Sequence, residues 1–161
     1  MLNIAIADEK DGFAILDTFQ LFAENYLLNL DYNIWVNEFF DGNLGLFIVN
    51  EFSNEEFVKK SLSQISENGM IILNADTPVK YNLSLNRPIP LITYGFNPKS
   101  SVTASSVSEY GVQCCIQREI KDFYGNIIEP QEFYISPLGK NKNVYNLLSV
   151  VSILLLLGNK F

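Results

Sequence analysis

The sequence contains no histidine, only two cysteines and fewer basic than acidic residues. Without histidine, the chain lacks the commonest general base and a very common metal-ligating side chain. Eleven Lys and Arg stand against eighteen Asp and Glu, which gives a formal charge of −7, and the basic residues are scattered along the chain. Such a chain repels a phosphate backbone, so we expect no nucleic-acid partner.

The two cysteines, Cys114 and Cys115, are neighbours in sequence. Adjacent residues of a strand point to opposite faces, so a disulfide between them would be strained. Two free thiols are typical of a reducing compartment, and the first residues carry no basic segment followed by a long apolar run. We therefore expect a cytoplasmic protein. A cysteine nucleophile would need a basic partner, normally histidine, and the chain has none.

Long hydrophobic runs are also missing. The most apolar stretch, Leu147–Leu157, holds eleven residues, whereas a membrane span needs roughly 20. We therefore expect a buried helix there and no membrane partner. With 48% hydrophobic and 13% aromatic residues, the chain has enough apolar surface for the core of a single domain, residues 1–161.

In residues 1–98, short apolar runs alternate with helical patterns. This alternation favours an α/β fold with a mostly parallel sheet. An amphipathic helix is predicted from the spacing of Leu16, Phe19, Ala23, Tyr26, Leu27 and Leu30. Strands are predicted at Leu2–Ala7, Tyr32–Val36, Leu44–Val49, Met70–Leu73 and Leu91–Tyr94.

Two further helices are predicted from their end signals. Asn54 is a natural N-cap followed by two glutamates, and Asn68-Gly69 fits the C-terminal stop of the same helix. A closing helix runs from Asn143 to Leu157 within residues 139–161, and Gly158 ends it.

After Pro98 the pattern changes to successive short strands separated by turn signals. Residues 99–138 are predicted to form a small antiparallel β meander, over about residues 101–135, with Asp122–Asn126 as its clearest turn.

Four segments occur in an order and spacing typical of one family. They are Val49-Asn50 at a strand end, Gly69–Pro78 around Asn74-Ala75-Asp76, Ile92-Thr93-Tyr94-Gly95-Phe96, and the stretch from Gly139 through Asn143-Val144-Tyr145-Asn146 to Gly158. Together, over roughly residues 44–158, they resemble the central domain of the Mur ligases. Those enzymes use ATP to join an amino acid to a nucleotide-linked cell-wall precursor.

The resemblance implies a P-loop/Rossmann-like sheet flanked by helices. It also implies that Asn143 and Asn146 could contact an adenine ring, although Asn143 is equally a natural helix N-cap. Gly12 would match the last glycine of the family's phosphate-binding loop. The resemblance covers the central domain alone, so we expect neither of the family's flanking substrate-binding domains among these residues.

The phosphate-binding loop departs from the family pattern. After the first strand the chain reads Asp8-Glu9-Lys10-Asp11-Gly12-Phe13-Ala14, so Phe13 replaces the essential lysine and Ala14 the metal-binding hydroxyl. Three acidic residues now surround a place that should attract polyphosphate, and at about 4 Å like charges repel by roughly 1–4 kcal/mol. The family's Asp-His pair is absent too, since Asn50-Glu51-Phe52-Ser53 stands in its place.

These observations favour a non-catalytic Mur-ligase-like domain with a structural or regulatory role through another protein chain or self-association. No cofactor is expected. The alternative is a divergent or split ATP-dependent amide-bond ligase, in which ATP and Mg²⁺ would bind and a partner chain would supply the missing groups. Phe13 and Phe39-Phe40 are less easily buried than the other aromatic residues, and if exposed they would mark a partner surface.

Overall fold

A computed structural model describes residues 1–25, 29–51, 54–77, 87–136 and 143–161. Tyr26, Leu27, Phe52, Ser53, Pro78 and Gly139, on which parts of the sequence interpretation depended, lie outside the described residues. The strands are β1 Leu2–Asp8, β2 Tyr32–Val36, β3 Leu44–Glu51, β4 Ile65–Asn74, β5 Leu91–Tyr94, β6 Val102–Ser108, β7 Gly111–Ile116, β8 Ile120–Lys121, β9 Ile127–Ile128 and β10 Gln131–Ile135. The helices are α1 Gly12–Asn25, α2 Glu55–Ser63 and α3 Val144–Leu156.

Eight of the strands form one mixed sheet in the order β10-β7-β6-β5-β4-β3-β1-β2. The neighbours from β2 to β6 pair in parallel, and the β6–β7 and β7–β10 pairs are antiparallel. This arrangement confirms the α/β class with a mostly parallel sheet flanked by helices. The antiparallel strands of the predicted meander extend the parallel sheet, while β8 and β9 form a separate two-stranded ribbon.

Helices cover both faces of the parallel part. α1 and α3 pack against each other and share one core with alternate strand residues such as Ile4 and Ile6. α2 shares the opposite core with the residues between them, Ala5 and Ala7. Central strands buried on both faces need continuous apolar runs, which is why β1 and β3 were recognisable in the sequence.

The chain reverses its direction of travel across the sheet next to β1. From β1 it passes through α1 to β2 on one side, and β3 then lies on the other side of β1. In open α/β sheets, ligands bind outside the carboxyl ends of the strands at such a switch point. In this fold, a ligand site is therefore expected at the carboxyl ends of β1 and β3.

The helix ends follow the predicted caps with one exception. The Asn54 side chain accepts the Phe57 N–H at 3.1 Å and begins α2, and the Asn143 side chain caps α3, which Gly158 ends with a φ of 80°. The predicted stop of α2 at Asn68-Gly69 was wrong. α2 ends at Ser63 because Ile65 already pairs with Leu44, and the residues up to Gly69 form an irregularity within β4.

Within the part of the chain that the structure describes, no helix combines the length and the apolar character that a bilayer crossing requires. α3 is apolar on all sides, which suits its buried position between α1 and the sheet.

Candidate functional site

Polar side chains from four neighbouring strands meet at the carboxyl edge of the sheet. The Asp8 carboxylate accepts the side-chain amide of Asn50 at 2.7 Å. The Asn50 oxygen in turn accepts the side-chain amide of Asn74 at 2.8 Å and the Tyr94 hydroxyl at 2.6 Å. We call these four residues the strand-end network. It connects the ends of β1, β3, β4 and β5 in one row.

Asp8 also occupies the loop between β1 and α1. One of its carboxylate oxygens accepts the backbone N–H of Lys10 at 3.0 Å and that of Asp11 at 3.1 Å. The residue is only 1% exposed. In a phosphate-binding loop, backbone N–H groups face the bound anion. Here the chain's own carboxylate takes that position.

Asn37 fixes the backbone of Asp8 from the neighbouring strand end. Its side chain accepts the Asp8 N–H at 2.8 Å and donates to the Asp8 carbonyl at 2.7 Å. Asn37 has a φ of 54°, a left-handed conformation in which asparagine is among the better tolerated non-glycine residues. These two hydrogen bonds join the side-chain amide of Asn37, just after the end of β2, to the backbone of Asp8.

Tyr94 is fully buried, and burial raises the pKa of its hydroxyl well above the ordinary value, with the charges of Asp8 and Tyr145 adding to the effect. The hydroxyl therefore keeps its proton at physiological pH and remains a donor to Asn50. The strand-end network thus consists of the Asp8 side chain as acceptor and of amide and hydroxyl groups that continue the hydrogen bonds to Tyr94.

A second carboxylate, Asp76, organises the loop after β5. It accepts the backbone N–H of Phe96 at 2.6 Å and of Asn97 at 2.9 Å, and the Tyr145 hydroxyl at 2.9 Å. Gly95, with a φ of 139°, makes room for it, since a Cβ at this position would lie 2.8 Å from the carboxylate. The pKa of Tyr145 is raised, first by burial and then by its hydrogen bond to Asp76.

Between these two groups lies a crevice of about 220 Å³. Among the described residues, its charged lining has four carboxylates and one ammonium group, Lys10. Lys10 pairs with Glu51 at 2.7 Å, and this hydrogen bond and the charge of Glu51 raise the pKa of Lys10. The described residues that line the crevice are Asp8, Lys10, Asp11, Asn50, Glu51, Asn74, Asp76, Thr77, Asn143 and Tyr145.

Of the three site residues that the resemblance suggested, only Asn143 lines this crevice. Its side chain caps α3 and donates to Asp11 at 3.3 Å. Asn146 is fully buried in α3, and neither polar atom of its amide has a hydrogen-bond partner among the residues that the structure describes. Gly12 begins α1 against β2, where a Cβ would lie 2.6 Å from a methyl group of Val36.

Several residues of the site were not recognised from the sequence. The sequence placed Asp8 among three acidic residues of the loop without indicating that it is buried, and it indicated neither Asn37 nor the link from Asn50 to Tyr94. The available signal was a polar residue directly after each apolar strand, because the carboxyl ends of parallel strands meet at one edge.

The geometry also bears on cysteine and metal chemistry. Cys114 is buried, which raises the pKa of its thiol to about 12, and Cys115 is half-buried; both thiols are free, as predicted. Among the described residues, no three side chains of the kinds that ligate metals are grouped to hold an ion.

The fold and the site together define an open α/β domain with an acid-lined crevice at its switch point. No protein-family model matches the chain, and no curated protein matches its sequence.

Proposed function

We propose that this chain is a non-catalytic domain related in design to the Mur ligase central domain, with a structural or regulatory role exerted through contact with another protein chain. The observation that carries the proposal is the Asp8 carboxylate, which accepts the Lys10 and Asp11 N–H groups in the loop where a nucleotide-binding domain would hold phosphate.

Energetics support this interpretation. Hydrogen bonds to a charged group contribute about 1.5–3 kcal/mol each, and a phosphate would have to displace Asp8 from at least two of them. In the described part of the crevice it would then face four carboxylates and one lysine that is already paired with Glu51. At about 4 Å, each like charge adds roughly 1–4 kcal/mol of repulsion. Triphosphate binding is therefore disfavoured by both the loop and its surroundings.

Contact with a protein is supported by exposed aromatic residues. Phe13, at the position of the family's lysine, is 65% exposed, and Phe39 is 56% exposed. Phe40 lies instead against Trp35, with ring centroids 4.0 Å apart. Exposed aromatic residues are enriched at protein interfaces.

The two free thiols support a cytoplasmic location.

The proposal is tested by titration calorimetry with ATP and Mg²⁺. We expect no saturable heat, whereas an affinity in the micromolar range would contradict the proposal. The same titration with inorganic triphosphate separates phosphate binding at the Asp8 loop from binding of the base elsewhere.

One observation supports a second candidate, a divergent or split ATP-dependent ligase that acts on a peptidoglycan-type precursor. Both polar atoms of the buried Asn146 amide lack partners within the described part of the chain, and a buried amide is costly unless something satisfies it. In this candidate, Asn143 and Asn146 would bind adenine and a partner chain would supply the cation and the metal ligands. Saturable adenosine binding that Asn146→Leu abolishes, or ATP turnover on adding the product of a neighbouring gene, would favour it.

A further inference from the structure

We propose that a pocket at the C-terminal end of α3 binds a small, neutral, planar ring compound that carries a carbonyl group. The pocket has a volume of about 460 Å³ and is lined by residues of the β8–β9 ribbon, of β10 and of the segment around the end of α3. We call it the ribbon pocket; its described lining includes Ile128, Phe133, Leu155 and Asn159. None of its described lining residues belongs to the crevice, and the 13 residues of α3, which span roughly 20 Å, separate the two. Binding in the ribbon pocket is therefore independent of the Asp8 loop.

Hydrogen bonds hold the ribbon side of the pocket in place. The Asp122 carboxylate accepts the N–H groups of Tyr124 and Asn126 at 2.9 and 2.8 Å, which fixes the turn of the ribbon. The ribbon is joined to the helix as well, because the Phe123 N–H donates to the Leu156 carbonyl at 3.0 Å. A pocket whose walls are already held loses little conformational entropy when a ligand binds.

One wall of the ribbon pocket is aromatic and apolar. Phe133 of β10 and Phe161 stack with their ring centroids 4.7 Å apart and their planes 7° from parallel. Ile128 and Leu155 add aliphatic surface to the lining. Apolar and aromatic walls bury the body of a small ligand, while a few polar groups fix its orientation. We therefore expect the body of the ligand to be a flat ring.

Asn159 supplies a hydrogen-bond donor that is not satisfied. Its side chain lines the pocket, and its Nδ2 atom is buried without an acceptor among the described residues. The backbone of Asn159 is held, since its N–H donates to the Leu154 carbonyl at 2.9 Å. A buried amide donor without an acceptor costs free energy, and the terminal torsion of an asparagine side chain turns easily. The amide therefore gains a hydrogen bond by turning toward a carbonyl oxygen in the pocket.

The charges around the ribbon pocket favour a neutral ligand. Among the described residues, its charged lining has two carboxylates, Asp122 and Glu129, and one ammonium group, Lys160. The C-terminal end of α3 adds negative partial charge. An anionic ligand is therefore repelled. A cationic ligand would meet Lys160 and, without an acceptor, would leave the Asn159 donor unsatisfied.

The test is a titration of isotope-labelled wild-type protein with four small compounds, followed through the side-chain amide signals in NMR spectra. Benzamide has both the ring and a neutral carbonyl group. Benzoate replaces the amide with a negative charge, benzylamine has a positive charge and no carbonyl, and acetamide has no ring. We expect benzamide to shift the Asn159 signal saturably at millimolar concentrations, as suits so small a ligand, and the other three to bind at least fivefold more weakly.

Matched variants locate the binding. Asn159→Ala should weaken benzamide binding about fivefold, the effect of one hydrogen bond, with the backbone signal of Gly158 as the readout. Phe133→Leu should weaken it by a similar factor, because an aliphatic side chain cannot stack on the ring. The controls are Asn97→Ala and Tyr110→Leu, at exposed residues after β5 and between β6 and β7, neither of which lines the pocket. Both controls should bind benzamide as the wild type does.

The proposal is overturned if benzamide does not shift the Asn159 signal, if benzoate or benzylamine binds as tightly as benzamide, or if the control variants weaken binding as much as the pocket variants. Thermal unfolding of each variant confirms that it is folded. The comparison of the four compounds uses the wild type alone, so it decides the outcome even where Phe133→Leu does not fold.

Discussion

Two aspartates of this molecule, Asp8 and Asp122, each accept backbone N–H groups of a turn, but they do so in different surroundings. Asp8 is the last residue of β1 and Asp122 follows β8; each is nearly fully buried, and each accepts two backbone N–H groups from the turn that it begins. The remaining donor to Asp122 is the side chain of Asn126, four residues away. The remaining donor to Asp8 is Asn50, from another strand.

This difference separates a local turn from a site. The Asp122 turn closes a hairpin, and the side-chain hydrogen bonds of Asp122 stay within residues 122–126. The Asp8 loop uses the same chemistry, but it also connects to Asn50, Asn74 and Tyr94 and closes the place where ligands bind in open α/β sheets. We therefore expect substitutions at Asp8 to affect the whole sheet edge and substitutions at Asp122 to affect one turn.

The largest expected effect is the loss of stability in Asp8→Ala. The substitution leaves two backbone N–H groups and the Asn50 amide without their buried acceptor, and we expect the free energy of unfolding to fall by about 3–4 kcal/mol. Urea denaturation measures it, with Asp122→Ala as the matched control at about 1–2 kcal/mol, because the side-chain donor that Asp122 loses lies in its own turn, whereas Asp8 also loses the amide of Asn50 on another strand. Equal losses in the two variants would remove the distinction between turn and site.

A smaller effect is expected when the far end of the strand-end network is changed. Tyr94→Phe removes one buried hydroxyl and should reduce the free energy of unfolding by about 1 kcal/mol. Combined with Asp8→Ala, it should depart from additivity by about 0.5–1 kcal/mol, because both residues bond to Asn50. Combined with Asp122→Ala, it should be additive. Additivity in both combinations would show that Asn50 does not couple the stabilities that Asp8 and Tyr94 contribute.

The smallest effect is the acid dependence of the Asp122 turn. Burial alone would raise the pKa of Asp122, but the hydrogen bonds from Asn126, Tyr124 and Gly125 lower it below the ordinary value of 3.8. A lowered pKa in the folded state stabilises the fold above pH 3.8, and this contribution is lost as the pH falls through the folded-state pKa. The difference in unfolding free energy between wild type and Asp122→Asn should therefore shrink below about pH 4. A difference that grows on acidification would contradict the assigned sign.

Much of the fold could be predicted from local patterns. β1 and β3 are continuous apolar runs, and α2 and α3 begin at the asparagine caps that the sequence indicated. The end of α2 could not be predicted, because it depends on Ile65 pairing with Leu44, a contact between distant residues.

The candidate site was predictable only in part. Asn74, Asp76 and Asn143 were noticed through the resemblance, and all three line the crevice. The burial of Asp8 and its connection to Tyr94 depend on strand order and register, which place Val49 beside Leu73 and Asn74 beside Tyr94. No local sequence pattern predicts this connection. Asp122 stands at the start of a similar turn, and its side chain bonds only to residues of that turn.

The central claim is that the Asp8 carboxylate occupies the N–H groups of Lys10 and Asp11. It is tested most directly by following those two backbone amides in NMR spectra of isotope-labelled protein during a titration with millimolar ATP and Mg²⁺. We predict that neither amide signal moves in the wild type, and that both exchange with solvent faster in Asp8→Ala. A saturable shift of the Lys10 and Asp11 signals in the wild type, at the same nucleotide concentrations, would show phosphate in the loop and contradict the account.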